Sequence, residues 1–244
     1  MSSTSELWWE SYSDDSIVVA FTDARSDLGN MSREGEGVVR SPLEQQHYLQ
    51  DLLGPHVHDA SVVHMNQVHG IDVVIANPDT TPTADALIID RIGVAAVVRV
   101  ADCVPIVIAA PGQQLAAVVH AGRVGMAARI VQQVCSELRA RGAQDLTAWV
   151  GPRACGSCYE VPAEMRAEVA AAEPAAFSET SWGTPALDVG AAVVAQLTRE
   201  DVEVHDLGTG TCTIEDERFW SYRRQGKQAG RFGAVVALRP RQVA

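Results

Sequence analysis

Apolar positions along the chain fall into two periods. Short continuous runs, Ile17–Phe21, Ser61–His64, Ile71–Ala76, Ala86–Ile89, Gly93–Val100, Val104–Ala110, Leu115–His120, Thr147–Val150 and Val235–Leu238, predict strands. Helical spacing appears over Pro42–Leu53, where Leu43, Tyr48, Leu49 and Leu52 recur before Gly54-Pro55. It appears again over Gly125–Arg141, where Met126, Ile130, Val134 and Leu138 stand four apart and Gly142 follows. Pro162–Ala172 and Val189–Leu197 complete the predicted helices, and the polar stretch Asp23–Arg40 reads as loop. Strands and helices mix without strict alternation, and no internal repeat or low-complexity linker interrupts them. This order predicts an α/β fold, a single domain of layered mixed β-sheets flanked by helices.

Composition narrows the function. The chain has 244 residues, 47% of them hydrophobic and 20% charged, as in an ordinary globular protein. With 31 acidic against 19 basic residues its formal net charge is −12, which excludes non-specific attraction to nucleic acid or anionic lipid. Residues Met1–Glu10 lack a basic start followed by an apolar run, and the longest uncharged run, Cys103–Gly122, is interrupted by Pro105, Pro111 and Gly112. A cytoplasmic location without membrane contact is the expectation. The five cysteines are irregularly spaced and are expected as thiols or ligands. From Arg218 onward the chain carries six arginines and Lys227 with no acidic residue, interleaved with Phe219, Trp220, Tyr222 and Phe232. A positive segment folded into a negative protein suits a small anionic ligand.

Three potential ligands stand at predicted turns or strand ends: His69, Cys103 and His120. Their spacing matches no short zinc motif, so the argument is geometric. If Val104–Ala110 and Leu115–His120 form a hairpin with an even-numbered loop, Cys103 and His120 share one sheet face. A two-residue loop pairs them directly, and a four-residue loop makes them diagonal. One thiolate and two imidazoles suit zinc and leave a fourth position open. Each residue also fits a plain structural role, Cys103 as a core thiol and the histidines as polar groups satisfied at strand ends.

The strings Gln67-Val68-His69-Gly70, Ala84-Asp85-Ala86-Leu87-Ile88, Ala101-Asp102-Cys103-Val104-Pro105 and Val119-His120-Ala121-Gly122 occur in the order seen in the YfiH family, once called multicopper polyphenol oxidases or laccase-like proteins. Gly151-Pro152, Tyr159-Glu160-Val161, Phe219-Trp220-Ser221-Tyr222-Arg223-Arg224 and Gly230-Arg231 resemble its C-terminal signatures, so the likeness spans about residues 60–240. The resemblance implies layered mixed sheets, one zinc ion on His69, Cys103 and His120, and purine nucleoside phosphorolysis, with adenosine deamination and methylthioadenosine cleavage as further activities. Two positions depart from the pattern: Arg123-Val124-Gly125 stands where Trp-Arg-Gly is common, and Ala229 replaces the threonine of Thr-Gly-Arg. The family's N-terminal glycine-rich signature is not recognisable between Thr22 and Arg40.

Phosphorolysis needs an anion site, for which Arg223, Arg224, Arg231 and Arg123 are the candidates. Asp102 and Glu160 are candidate proton carriers, with Asp102 alternatively bracing its turn. Cys155 and Cys158 read as loop thiols, with metal or redox chemistry as the alternative. The expected partners are a nucleoside and phosphate, and the oligomeric state is not legible. Three other functions compete: a cysteine hydrolase acting on peptidoglycan precursors through Cys103 and His120, a copper-dependent polyphenol oxidase, and a non-catalytic nucleoside-binding protein. With only seven histidines, the chain lacks the His-rich clusters that several coppers require.

Overall fold

The computed structural model describes residues 7–29 and 40–240; the start of the chain, where no targeting segment is expected, and most of the predicted Asp23–Arg40 loop lie outside them. The elements in order are β1 (Trp8–Ser13), β2 (Ile17–Thr22), α1 (Pro42–Leu53), β3 (Ser61–Val63), β4 (Val73–Ile75), β5 (Ala86–Ile89), β6 (Val94–Val100), β7 (Val104–Ala110), β8 (Leu115–Ala121), α2 (Arg123–Ala127), α3 (Ile130–Ala140), β9 (Thr147–Val150), α4 (Ala163–Ala172), β10 (Phe177–Glu179), β11 (Pro185–Leu187), α5 (Val189–Arg199), β12 (Glu203–Asp206), α6 (Tyr222–Gln225) and β13 (Phe232–Leu238). They form a five-stranded sheet in the order β1-β2-β13-β6-β3, a six-stranded sheet in the order β12-β9-β7-β8-β5-β4, and a small β10-β11 pair. Parallel and antiparallel pairs occur in both large sheets, as β3–β6 and β4–β5 are parallel while β13–β6 and β7–β8 are antiparallel. The mixed α/β reading of the sequence therefore holds.

Three apolar layers separate the elements. Phe21, Leu87, Val98, Val107, Val118 and Phe232 fill the space between the two large sheets. Alternate residues of the six-stranded sheet, among them Ile106, Ile108 and Val119, pack instead on Met126, Ile130, Val134, Val193 and Leu197 of the covering helices. Alternate residues of the five-stranded sheet, including Ala95, Val97 and Val235, pack on Leu49 and Leu53 of α1. Both faces of the central strands are covered, which is why their sequences read as unbroken apolar runs although most of their pairings are antiparallel. The α1 start is fixed by a capping box between Ser41 and Glu44, with Pro42 in the first turn.

The single helix expected over Gly125–Arg141 is instead two. It breaks at Arg129, whose backbone is left-handed with φ 69°. Met126, Ile130, Val134 and Leu138 do face one core, so the four-residue spacing is real. However, α2 is held against the turn at Gly70, where a Cβ on Gly125 would sit 2.8 Å from the Gly70 carbonyl oxygen. The break lets α3 lie along the sheet from that fixed start. Among the described residues no helix is long and apolar enough to cross a membrane.

His64, just after β3, is fully buried. Burial, helped by the nearby Arg99 charge, pulls its pKa from 6.5 down to about 4. The unfolded chain therefore binds a proton that the fold refuses between those values, and stability falls as pH drops through this window. At about 1.4 kcal/mol per pH unit the loss from this residue is on the order of 3 kcal/mol. Urea denaturation at pH 7 and pH 4 is expected to show a smaller acid loss for His64→Gln than for the unaltered protein.

Candidate metal centre and cavity

The β7–β8 hairpin pairs Val104 with Ala121 and Ala110 with Leu115, leaving the four-residue turn Pro111–Gln114. The loop is even-numbered, so Cys103 and His120 are diagonal neighbours on one face, the face turned toward the other sheet. His69 arrives from the segment between β3 and β4. Its Nε2 lies 3.7 Å from the Cys103 sulfur, and its ring meets the His120 ring edge-on at 4.7 Å between centroids. One ligand atom from each of the three residues lies within 4.8 Å of the others. Metal–nitrogen and metal–sulfur bonds of about 2.0–2.3 Å imply ligand separations of about 3.5 Å around a tetrahedral ion, so the 3.7 Å contact already has the length of such an edge. His120 is buried, Cys103 half-buried and His69 exposed, which leaves one side of the group open to solvent.

A fourth residue assembles the three. The Asp85 carboxylate, fully buried at the entry to β5, takes His120 Nδ1 on Oδ1 at 2.7 Å. It also accepts the His69 amide at 2.9 Å, the Gly70 amide at 2.6 Å and the Val68 amide at 3.3 Å. The first contact commits Nδ1 and turns Nε2 of His120 toward Cys103. The amide contacts hold His69 in a left-handed conformation, φ 62°, that a histidine rarely adopts unaided. Burial alone would raise the Asp85 pKa, but the bonds from His120 and these amides lower it, so the carboxylate is ionised. Burial likewise opposes charge on Cys103 and His120. Their mutual attraction outweighs it, with the thiol brought to about 6 and the imidazole raised to about 9. The sulfur is thus in the form that binds metals or attacks electrophiles.

The group opens onto a cavity of about 390 Å³ lined by, among others, Gln67, Arg99, Asp102, Tyr159, Tyr222, Arg223 and Arg231. Gln67 pairs with the backbone of Arg99 on both sides of its amide, at 2.8 and 3.0 Å, and so ties the His69 segment to β6. Burial and the neighbouring Arg231 charge pull the Arg99 pKa to about 10, which leaves its guanidinium charged at neutral pH.

The remaining candidates separate. Arg223 and Arg231 line the cavity, the former with its guanidinium 4.7 Å from the Tyr159 ring centre. Arg123 lies on a smaller neighbouring cleft of about 50 Å³ that also touches Cys103 and Tyr159. Arg224 does not line the cavity; its guanidinium donates to the carbonyls of Thr213, Ile214 and Phe219 at 3.0, 3.1 and 2.6 Å. Glu160 is also outside it, accepting the Trp182 indole N–H at 2.9 Å. Asp102 is inside, but its oxygens accept the Thr213 hydroxyl and the Arg223 amide, both at 2.7 Å, so it braces the turn and places Arg223. The sequence reading missed Asp85 and Arg99. Each had a signal, as a charged residue set in an otherwise apolar strand run has to find a partner indoors.

A family model described as multi-copper polyphenol oxidoreductase laccase matches residues 28–239. A Streptomyces coelicolor protein named purine nucleoside phosphorylase is 47% identical over 189 residues, covering 75% of this chain and 77% of that protein. One of the same name from Streptomyces griseus is 44% identical over 186 residues, covering 73% and 75%. The crystal structure of a Neisseria meningitidis protein superposes with a TM-score of 0.75 at 25% identity, covering 95% of this chain and 99% of that one.

Gly122 follows β8 where a Cβ would lie 2.6 Å from His69 Cδ2 and 3.3 Å from the Cys103 sulfur. Gly122→Ala is therefore expected to push the His69 ring out of the group while leaving the sheets folded. Metal affinity, followed by competition with a chromogenic chelator, should fall at least tenfold with little change in Tm. Unchanged affinity would mean that His69 is not held by this contact.

Proposed function

The chain belongs to the multi-copper polyphenol oxidoreductase laccase family, whose structural relatives include the YfiH-type proteins, and on that premise we propose that it is a zinc-dependent purine nucleoside phosphorylase. The observation that carries this reading is the convergence of an open His69–Cys103–His120 ligand set with an arginine-lined cavity. A volume of about 390 Å³ falls within the usual range of about 300–1,000 Å³ for small-molecule sites. The names carried by the Streptomyces relatives agree with it.

His69, Cys103 and His120 would hold the ion, which when bound supplies a Lewis acid beside the reacting centre. Phosphorolysis joins a phosphate oxygen to C1′ of the ribose while the C1′–N9 bond breaks, giving ribose 1-phosphate and a free purine that gains a proton. Arg223, Arg231 and Arg99 would orient the phosphate. The Arg231 charge opposes that of Arg99, with Asp27 offsetting part of the cost, and an entering anion would offset more of it. Asp102 serves as a positioning residue through the Arg223 amide. Tyr159 and Tyr222, at the cavity wall, would contact the base. Adenosine deamination is a second activity compatible with the same centre, and no general base is assigned.

Copper fits less well than zinc. All seven histidines are described, and only His69 and His120 join a group able to hold a metal, too few for a multi-copper oxidase. The thiolate of Cys103 beside His120 favours one competing reading, a cysteine hydrolase, and chelation separates the two.

Incubation with inosine or adenosine is expected to release free base only when phosphate is present, and prior removal of metal should abolish this. Cys103→Ala should lower kcat/KM by at least a hundredfold and reduce bound zinc. Inosine formed from adenosine without phosphate would mark deamination. No turnover of either nucleoside by the zinc-loaded protein, or full activity of Cys103→Ala, would overturn the proposal.

A further inference from the structure

A second ligand group lies apart from the first. Cys155 and Cys158, in the loop after β9, meet Cys212 and Glu215, in the loop after β12, with one ligand atom of each within 4.8 Å of the others. Of the five cysteines only Cys135, buried in the helix-side core, lies outside both groups. The two loops are brought together by a parallel bridge between Arg153 and Cys212. Cys158 and Tyr159 each donate a backbone N–H to the Cys155 carbonyl, at 3.1 and 3.0 Å, which curls the Cys-x-x-Cys segment into a turn with both sulfurs converging.

Backbone amides are aimed at the sulfurs. The Cys155 N–H lies 3.4 Å from the Cys212 sulfur, and the Ser157 N–H bonds the Cys155 sulfur. The amide bond favours the anion at Cys155, but burial outweighs it there and likewise raises the Cys158 thiol. Three sulfurs converging in one group, with Cys158 and Cys212 each under a tenth exposed, are placed to share one cation, which on binding would take the place of the thiol protons. A disulfide suits the group poorly, because one bond uses two sulfurs and strands the third beside a carboxylate. Three sulfurs and one carboxylate oxygen make the four donors of a closed tetrahedral site, and a Cys-x-x-Cys pair is the usual ligand spacing for it.

We infer that Cys155, Cys158, Cys212 and Glu215 form a structural zinc site that staples together two loops of the cavity wall. One loop carries Tyr159. The other carries Thr213, which is tied to Asp102 and through it to Arg223. A tetrahedral zinc with bonds of about 2.3 Å sets its sulfurs about 3.8 Å apart, a small contraction of the observed group. The site stands independently of the phosphorolysis proposal, since it shares no ligand with His69, Cys103 or His120.

The test counts metal on the full chain, purified without an affinity tag and supplied with zinc. About two zinc ions per chain are expected by elemental analysis. About one should remain in a Cys158→Ser/Cys212→Ser variant, and about one in a His69→Ala/His120→Ala variant. Should the cysteine variant fail to fold, the unaltered protein still decides the matter by alkylation and mass spectrometry. Cys155, Cys158 and Cys212 should resist the reagent until a chelator is added, whereas Cys135 resists throughout. Loss of all zinc from the histidine variant would overturn this site and leave the first one standing; loss of all zinc from a folded cysteine variant would do the reverse. Equal labelling of the three cysteines with and without zinc, or a non-reduced mass showing a disulfide among them, would also overturn it.

Discussion

The Asp85 carboxylate is the contact on which the rest of the site depends. A fully buried acid is costly unless its oxygens are filled, and here four donors fill them: the His120 ring and three consecutive amides from Val68 to Gly70. The same bonds that stabilise the charge determine the geometry of both imidazoles, because one donor is the His120 ring itself and another is the backbone of His69. Stability and site construction are therefore one interaction. Removal of the carboxylate would leave three amides unpaired, release the left-handed turn and free the His120 ring together.

Register supplies the second constraint. Side chains alternate between faces along a strand, so a one-residue slip in the β7–β8 hairpin would send either Cys103 or His120 to the helix-covered face. Such a slip would exchange Val107 with Ile106, or Val118 with Val119, between the layer shared by the sheets and the layer under the helices. The volumes are similar, but Pro111 to Gln114 form a turn with left-handed backbone at Gly112 and Gln114, which fits one loop length. Register places Cys103 and His120 on one face, and the Asp85 bond to His120 then fixes how the ring is turned.

Much of this was legible before the coordinates. Strands buried on both faces announce themselves as apolar runs, and β5, β7 and β9 have the limits that their sequences suggest. An even loop length alone puts Cys103 and His120 on one sheet face. Four strands escaped: β1, β10 and β12 have no fully buried residue and carry no period that separates them from loop, and β11, though mostly buried, spans only three residues and starts at Pro185. The break at Arg129 escaped for a different reason. Both helices face one core, so apolar spacing continues across the break, and what ends α2 is a contact with a turn some fifty residues earlier in the chain. Among site residues, side-chain type picked out the His69–Cys103–His120 group but not the direction in which a side chain is spent. Arg224 and Arg223 are adjacent and chemically identical, yet one closes its own loop through three carbonyls and the other reaches the cavity.

The net charge bears on function less than its size suggests. At physiological ionic strength a charge is screened over about 8 Å, so most of the acidic surface is not felt inside the cavity. What an anion meets there is local: Arg99, Arg223 and Arg231 on the wall, with Asp27 acting on Arg99 and Asp102 already committed to Thr213 and the Arg223 amide. The acidic exterior does act on larger polyanions, whose many phosphates would meet the surface before any of them reached the arginines. The net charge of −12 thus opposes non-specific attraction of polyanions, while the arginines set the local field of the cavity.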